Sequence, residues 1–226
     1  LENYGGKISS EWMLPKILQV LEEDPSVYHA ADFFVEAADW IVWRLTGELF
    51  RSACCAGYKA MYSSREQYPS PEYLAALSPE LRDVCRDKLA GDIIPLGARA
   101  GSLSPDMASR LGLRPGTSVG TGCIDAHAAV FGCSITEPGQ MVMIMGTSTC
   151  HMIMSKDRHV IPGVSGVVED GIVPGLYGYE AGQAAVGDHF EWFTRNLLPH
   201  KYDTEATEKK ISPHELLTEK ASSQRP

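Results

Sequence analysis

The 226 residues carry 44% hydrophobic and 22% charged side chains, the make-up of a globular chain with apolar surface for one sizeable core or two modest ones. The formal net charge is −9 and its Lys and Arg residues are scattered, which leaves no electrostatic footprint for nucleic acid or an anionic membrane. The longest aliphatic and Met run, MVMIM at 141–145, is far short of a membrane span, and no basic-then-apolar signal segment opens the chain, so a cytoplasmic protein with reduced cysteines is expected.

Taken in chain order, the first half is punctuated for helices. SSEWMLPKILQVLEE sets Leu14, Ile17, Leu18 and Leu21 on one stripe, with Ser9 or Ser10 available as the cap and Pro15 tolerated near the first turn. Asp24-Pro25 is a second cap-and-start signal, and EAADWIVWRLTGE predicts a helix stopped by Gly47, its aromatic residues expected in the core. Ser70-Pro71-Glu72, Ser78-Pro79-Glu80 and Ser104-Pro105-Asp106 repeat one signature: a hydroxyl cap, proline at the first helical position and an acid in the first turn. Each predicts a short helix.

Near residue 115 the pattern changes. RPGTSVGTGC is rich in Gly and small residues, and the boundary between two lobes is placed there, giving segments 1–117 and 118–226. ITEPGQ reads as a turn, followed by two buried strands, MVMIM and CHMIM, joined by the polar turn GTST. VSGVVED and GIVPGLYGYE carry weaker strand signals, a helix is expected from about Gln183 to Asn196, and the tail after His200 is expected to be solvated. Strands in one half with helices through both indicate α/β architecture. The chain begins at Leu1 and ends in KASSQRP without a closing core element, as an internal piece of a longer protein would.

The residue with most chemical promise is Asp125 in GTGCIDAHAAVFG, at the expected start of a helix behind two glycines. A carboxylate there is stabilised in its charged form by the helix dipole and free N–H groups. Such an ionised, partly enclosed acid can take a proton from a hydroxyl, or it can simply cap the helix. Gly146, Thr147 and Ser148 in GTST can cradle phosphate oxygens or form an ordinary hairpin turn. Lys59 in CCAGYKAMY can donate hydrogen bonds to a polar substrate or lie in solvent; Glu180 in GLYGYEAGQAA can line a pocket or satisfy a loop. Trp12, Trp40, Trp43 and Trp192 could stack on a sugar, yet their helix-like surroundings point to core packing. Cys123, His127, Cys133, Cys150 and His151 lack the paired spacing of a structural zinc site, so no metal site is assigned, and VSGVV is out of register for a hydrolase nucleophile elbow. A base for an attacking hydroxyl and a phosphate-sized turn about twenty residues later are parts that phosphoryl transfer uses.

SSEWMLPKILQVLEEDPSVYHAADFFVEAADWIVWRLTGE, CCAGYKAMY, GTGCIDAHAAVFG and MIMGTSTCHMIMS, together and in this order, resemble the FGGY carbohydrate kinases, and within them the L-ribulokinase branch. The resemblance implies an actin-like, ribonuclease-H-like fold of two lobes, here the end of the sugar-binding lobe and the beginning of the ATP-binding lobe. It implies ATP and Mg²⁺ as cofactors and transfer of a phosphoryl group to the terminal hydroxyl of L-ribulose, giving L-ribulose 5-phosphate in L-arabinose breakdown. By the same likeness Asp125 matches the catalytic base and a substrate contact, Lys59 and Glu180 match sugar contacts, and Gly146, Thr147 and Ser148 match the phosphate-contacting turn. His127 is left with a structural role, facing away from Asp125. Partners would be the sugar and ATP, with neither nucleic acid nor membrane, and a homo-oligomer is compatible with the full-length protein. A kinase for xylulose or glycerol and a non-catalytic sugar-binding remnant are the alternatives. The family's N-terminal phosphate loop and C-terminal adenosine segment are not matched, so the chain alone is expected to be inactive.

Overall fold

A short polar side chain followed by proline sets the starts of two helices in the first hundred residues. The computed structural model describes residues 1–224. After a 3₁₀ turn at Glu2–Tyr4, α1 (Met13–Glu23) buries Met13, Leu14, Ile17 and Leu21 along the expected stripe, with Leu18 at its margin. Its start departs from expectation: the N-cap is Trp12, without a side-chain cap, and the Ser9 hydroxyl instead accepts from the Glu11 N–H at 3.2 Å, ahead of the helix. Asp24 does start α2 (Pro25–Ala30), its carboxylate accepting from the Val27 N–H at 3.3 Å.

Helix α3 (Ala37–Thr46) stops at Gly47, whose φ of 84° is the left-handed conformation that glycine adopts without strain. Its aromatic residues are not core. Asp39 and Val42, three residues apart, take the inner face, which turns Trp40 and Ile41 outward and leaves Trp43 half-buried. Of the four tryptophans Trp12 is buried, edge-on to Tyr4 at 5.2 Å between centroids, whereas Trp192 is exposed like Trp40.

Strand β1 (Phe50–Ser52) leads directly into α4 (Ala53–Ala60), then α5 (Pro71–Leu77), a 3₁₀ turn at Pro79–Leu81 and α6 (Val84–Lys88). Strand β2 (Asp92–Ile94) returns parallel to β1; β3 (Arg99–Ser102), α7 (Pro105–Leu111) and β4 (Ser118–Gly120) follow, with β3 and β4 antiparallel. Ser70 and Ser104 cap α5 and α7, accepting from the Tyr73 and Met107 N–H groups at 3.2 and 3.3 Å. Ser78 makes no such bond, and its proline opens only the 3₁₀ turn. Side chains of α1, α2, α5 and α6 meet in one apolar cluster that includes Tyr28, Leu74, Leu81, Val84 and Leu89.

Helix α8 (Asp125–Gly132) precedes β5 (Met141–Met145), β6 (Thr149–Ser155), β7 (Gly166–Glu169) and β8 (Tyr177–Gln183), which form a sheet in the order β5-β6-β8-β7. β5 is not the buried strand expected: Val142 is covered while Met141, Met143 and Met145 alternate with it into solvent. Helices α9 (Val186–Asn196), α10 (His200–Lys209) and α11 (Pro213–Ser222) complete the described chain. The expected solvated tail is therefore helical, with Ala206 and Leu216 buried and Glu205 paired to Lys209 and Lys220 at 3.2 and 2.8 Å.

The α/β chain divides into two units, Leu1–Val142 with His151–Ala181, and Met143–Cys150 with the residues from Gly182 onward. In the first unit, α4 meets β7 at very short range. A Cβ added to Gly57 would lie 2.2 Å from Val168 Cγ1. The neighbouring Tyr58 ring fills a slot floored by Gly166 and Gly178, where added Cβ atoms would come within 2.7 and 2.6 Å of it. Tyr4 ties the opposite side, its hydroxyl donating to the Gly57 carbonyl at 2.7 Å.

Candidate active site

Asp125 is the first residue of α8, not its cap; Ile124 holds the cap position. The carboxylate accepts from its neighbour's Ala126 N–H at 2.7 Å and is exposed rather than partly enclosed as expected. Exposure follows from the approach loop, which is pinned from behind. The Thr121 hydroxyl donates to the Pro95 and Ala98 carbonyls at 3.0 Å each, and Gly122 lies so near α3 that a Cβ would fall 2.9 Å from that of Ala38. Asp125 thus stands at a fixed helix start with its carboxylate exposed.

Lys59 is half-buried in the last turn of α4. The start of that helix is anchored by Asp39, whose buried carboxylate accepts from the Ser52 N–H at 3.0 Å. Burial pushes Asp39 up to about 6, against the opposing pull of that hydrogen bond and of Arg51. Arg51 is itself buried, donating through Nε to the Ala90 carbonyl at 3.0 Å. Burial also raises Glu36, with the charges of Lys59 and Arg51 acting the other way, so Lys59 stands in the field of a carboxylate from the start of α3. Sequence reasoning missed Glu36, Asp39 and Arg51, because neither spacing nor composition tells that their charges turn inward.

Glu180 lies on β8 opposite Gly166 of β7, and its carbonyl accepts from the Ser165 N–H at 2.7 Å. Its half-buried carboxylate meets a residue read from sequence as merely structural: His127 Nε2 is 3.0 Å from Glu180 Oε2. His127 is fully buried, its Nδ1 is 3.0 Å from Cys54 Sγ, and its ring lies 4.3 Å from that of Tyr58. Asp125 and His127, two positions apart on α8, point to different sides of the helix, as expected. Among the described residues no hydrogen bond or ion pair joins Asp125, Lys59 and Glu180 to one another, so each has polar atoms free for a ligand.

In the second unit Gly146, Thr147 and Ser148 form an exposed turn closed by the Gly146 N–H donating to the Ser148 carbonyl at 2.8 Å. The start of α9 is tied to it: the Gly187 N–H donates to the carbonyls of Gly146 and Thr147 at 3.2 and 3.0 Å. Two exposed hydroxyls and a buried Thr149 hydroxyl without a partner among the described residues make a donor set that fits phosphate oxygens. For a divalent cation, the described residues contain no cluster of three carboxylate, imidazole or thiol ligands. None of the described helices is long and apolar enough to cross a membrane.

Residues 2–132 match the N-terminal domain of the FGGY family of carbohydrate kinases, and residues 141–226 its C-terminal domain. The chain is 52% identical over 227 residues to a ribulokinase of Anoxybacillus flavithermus, covering 100% of this chain and 40% of that protein. A ribulokinase of Halalkalibacterium halodurans is likewise 52% identical over 226 residues, with the same coverage. The chain therefore spans about 40% of the length of the curated relatives it matches. Among solved structures, xylulose kinase from Rhodospirillum rubrum superimposes with a TM-score of 0.73 at 21% identity, over 92% of this chain and 41% of that one, a likeness of fold.

Proposed function

The chain belongs to the FGGY family of carbohydrate kinases, and on that premise we propose that it is an internal part of an ATP-dependent ribulokinase that phosphorylates L-ribulose to L-ribulose 5-phosphate. The observation that carries the substrate assignment is identity of about half over the whole chain to ribulokinases. When bound, ATP supplies the phosphoryl group, and a divalent cation, Mg²⁺, offsets the charge of its phosphates. Asp125, open to solvent, accepts the proton of the sugar's terminal hydroxyl as that oxygen attacks. Lys59 donates to sugar oxygens and Glu180 accepts from a sugar hydroxyl, which holds the attacking oxygen in line. Gly146, Thr147 and Ser148, backed by the start of α9, hold phosphate oxygens. The compartment we assign is the cytoplasm, where a sugar kinase meets ATP.

The test is a substrate panel. The full-length kinase carrying this chain is assayed with ATP against L-ribulose, D-xylulose and glycerol. The highest kcat/KM is expected for L-ribulose, and a clear preference for either other acceptor would overturn the assignment.

A further inference from the structure

The reaction as proposed uses Glu180 but gives no account of the fully buried imidazole beneath it. A carboxylate can only accept, so the 3.0 Å contact between Glu180 Oε2 and His127 Nε2 requires a proton on Nε2. On the other side, Nδ1 faces the Cys54 thiol at 3.0 Å. The hydrogen bond of Cys54 with Cys123, and then its burial, push that thiol far up, so a neutral sulfur faces the ring. Tyr58 flanks the imidazole face, and Tyr58 is itself wedged against Gly166 and Gly178. With Nε2 held by one oxygen of Glu180, Nδ1 facing Cys54 and Tyr58 against its face, the imidazole has one orientation, and its Nε2–H is spent on Glu180. The second oxygen, Oε1, has no protein partner among the described residues and sits on a half-buried side chain.

We propose that His127 is a positioning residue for sugar binding: its Nε2–H holds Glu180 Oε2 and so presents Glu180 Oε1 to a hydroxyl of the acceptor. The proposal rests on Glu180 being a sugar contact. It assigns α8 two tasks from one turn, with Asp125 at the exposed start and His127 on the buried side fixing a residue of β8.

The test uses the full-length kinase and reads KM for L-ribulose separately from KM for ATP and from kcat. A charged hydrogen bond of this kind predicts that His127→Leu raises the KM for L-ribulose by roughly ten- to a hundredfold, with the KM for ATP nearly unchanged. His127→Gln, whose side-chain amide can donate from nearly the same point, should recover most of that loss. Glu180→Gln should raise the same KM, and adding His127→Leu to it should bring little further change. An unaltered KM in Glu180→Gln would sink the sugar-contact reading beneath the proposal. A raised KM in Glu180→Gln with a normal one in folded His127→Leu, or additive effects in the double variant, would sink the positioning role alone. If the Leu variant does not fold, nitrogen-15 spectra of the parent's histidines decide. A His127 Nε2–H tautomer whose proton resonance moves on adding L-ribulose supports the proposal; an Nδ1–H tautomer, or a resonance that stays put, overturns it.

Discussion

Asp125, the proposed base, is the residue at which proton transfer can be tested apart from binding. Among the described residues its carboxylate is held only by the adjacent Ala126 N–H, so Asp125→Asn preserves shape and helix start while removing the proposed base. In the full-length kinase kcat is expected to fall by roughly 10²- to 10⁴-fold, with sugar affinity by calorimetry little changed; unaltered turnover would dismiss Asp125 as the base. Asp39 supports a different prediction, because it is raised to about 6 by burial while Ser52 N–H and Arg51 favour its charge and Glu36 opposes it. The folded chain keeps this proton where the unfolded chain has released it, so its contribution to stability falls as pH climbs from about 4 to about 6 and stays low above that. Asp39→Asn should therefore gain up to about 3 kcal/mol on its parent between pH 4 and pH 7 in denaturant melts, and a pH-independent difference would contradict the buried-acid account. Asp125, Lys59 and Glu180 could be singled out because each stands among small residues, a local property, while the roles proposed for them come from the family resemblance. The partners of His127 lie 73 and 53 positions away, and no local pattern reports them.

Among the elements, the hydroxyl-proline-acid signature shows what a local rule does and does not decide. At Ser70 and Ser104 the serine closes onto the N–H three residues on and the helix runs for two turns. At Ser78 the same pattern yields a 3₁₀ turn, where the tighter winding leaves the hydroxyl unengaged. Thermal melts should show Ser70→Ala and Ser104→Ala each losing about 1 kcal/mol and Ser78→Ala a few tenths. Equal losses at all three would mean the caps are not what distinguishes them. A fourth instance, Ser212-Pro213-His214-Glu215, starts α11 with Ser212 accepting from the Glu215 N–H at 3.1 Å. That helix was readable by the same rule, and the polar composition after His200 obscured it. The outward turn of Trp40 was not readable, since an inner face built on Asp39 runs against the hydrophobic pattern.

Over the whole molecule, the residues proposed for the site fall in different units, with Asp125, Lys59 and Glu180 in the first and the Gly146–Ser148 turn in the second. Because the chain covers about 40% of its curated relatives, it is expected to show no ATP-dependent phosphorylation of L-ribulose by itself, and turnover by the purified chain would refute that. Thiol accessibility gives a probe of the folded first unit. Cys133 is exposed, Cys54 and Cys55 are buried, and burial pushes Cys85 up to about 12. Alkylation with iodoacetamide followed by mass spectrometry should modify Cys133 first and reach Cys54 and Cys55 only in denaturant; early modification of Cys54 would contradict its contact with His127. The close fit of Gly57 and Tyr58 against β7 and β8 also sets an order of events in biosynthesis. Helix α4 can seat only on a hairpin that leaves the ribosome much later, so Lys59 stays unplaced until the strand bearing Glu180 has been made. Lys59 and Glu180 therefore acquire their geometry together and late, as a single long-range closure.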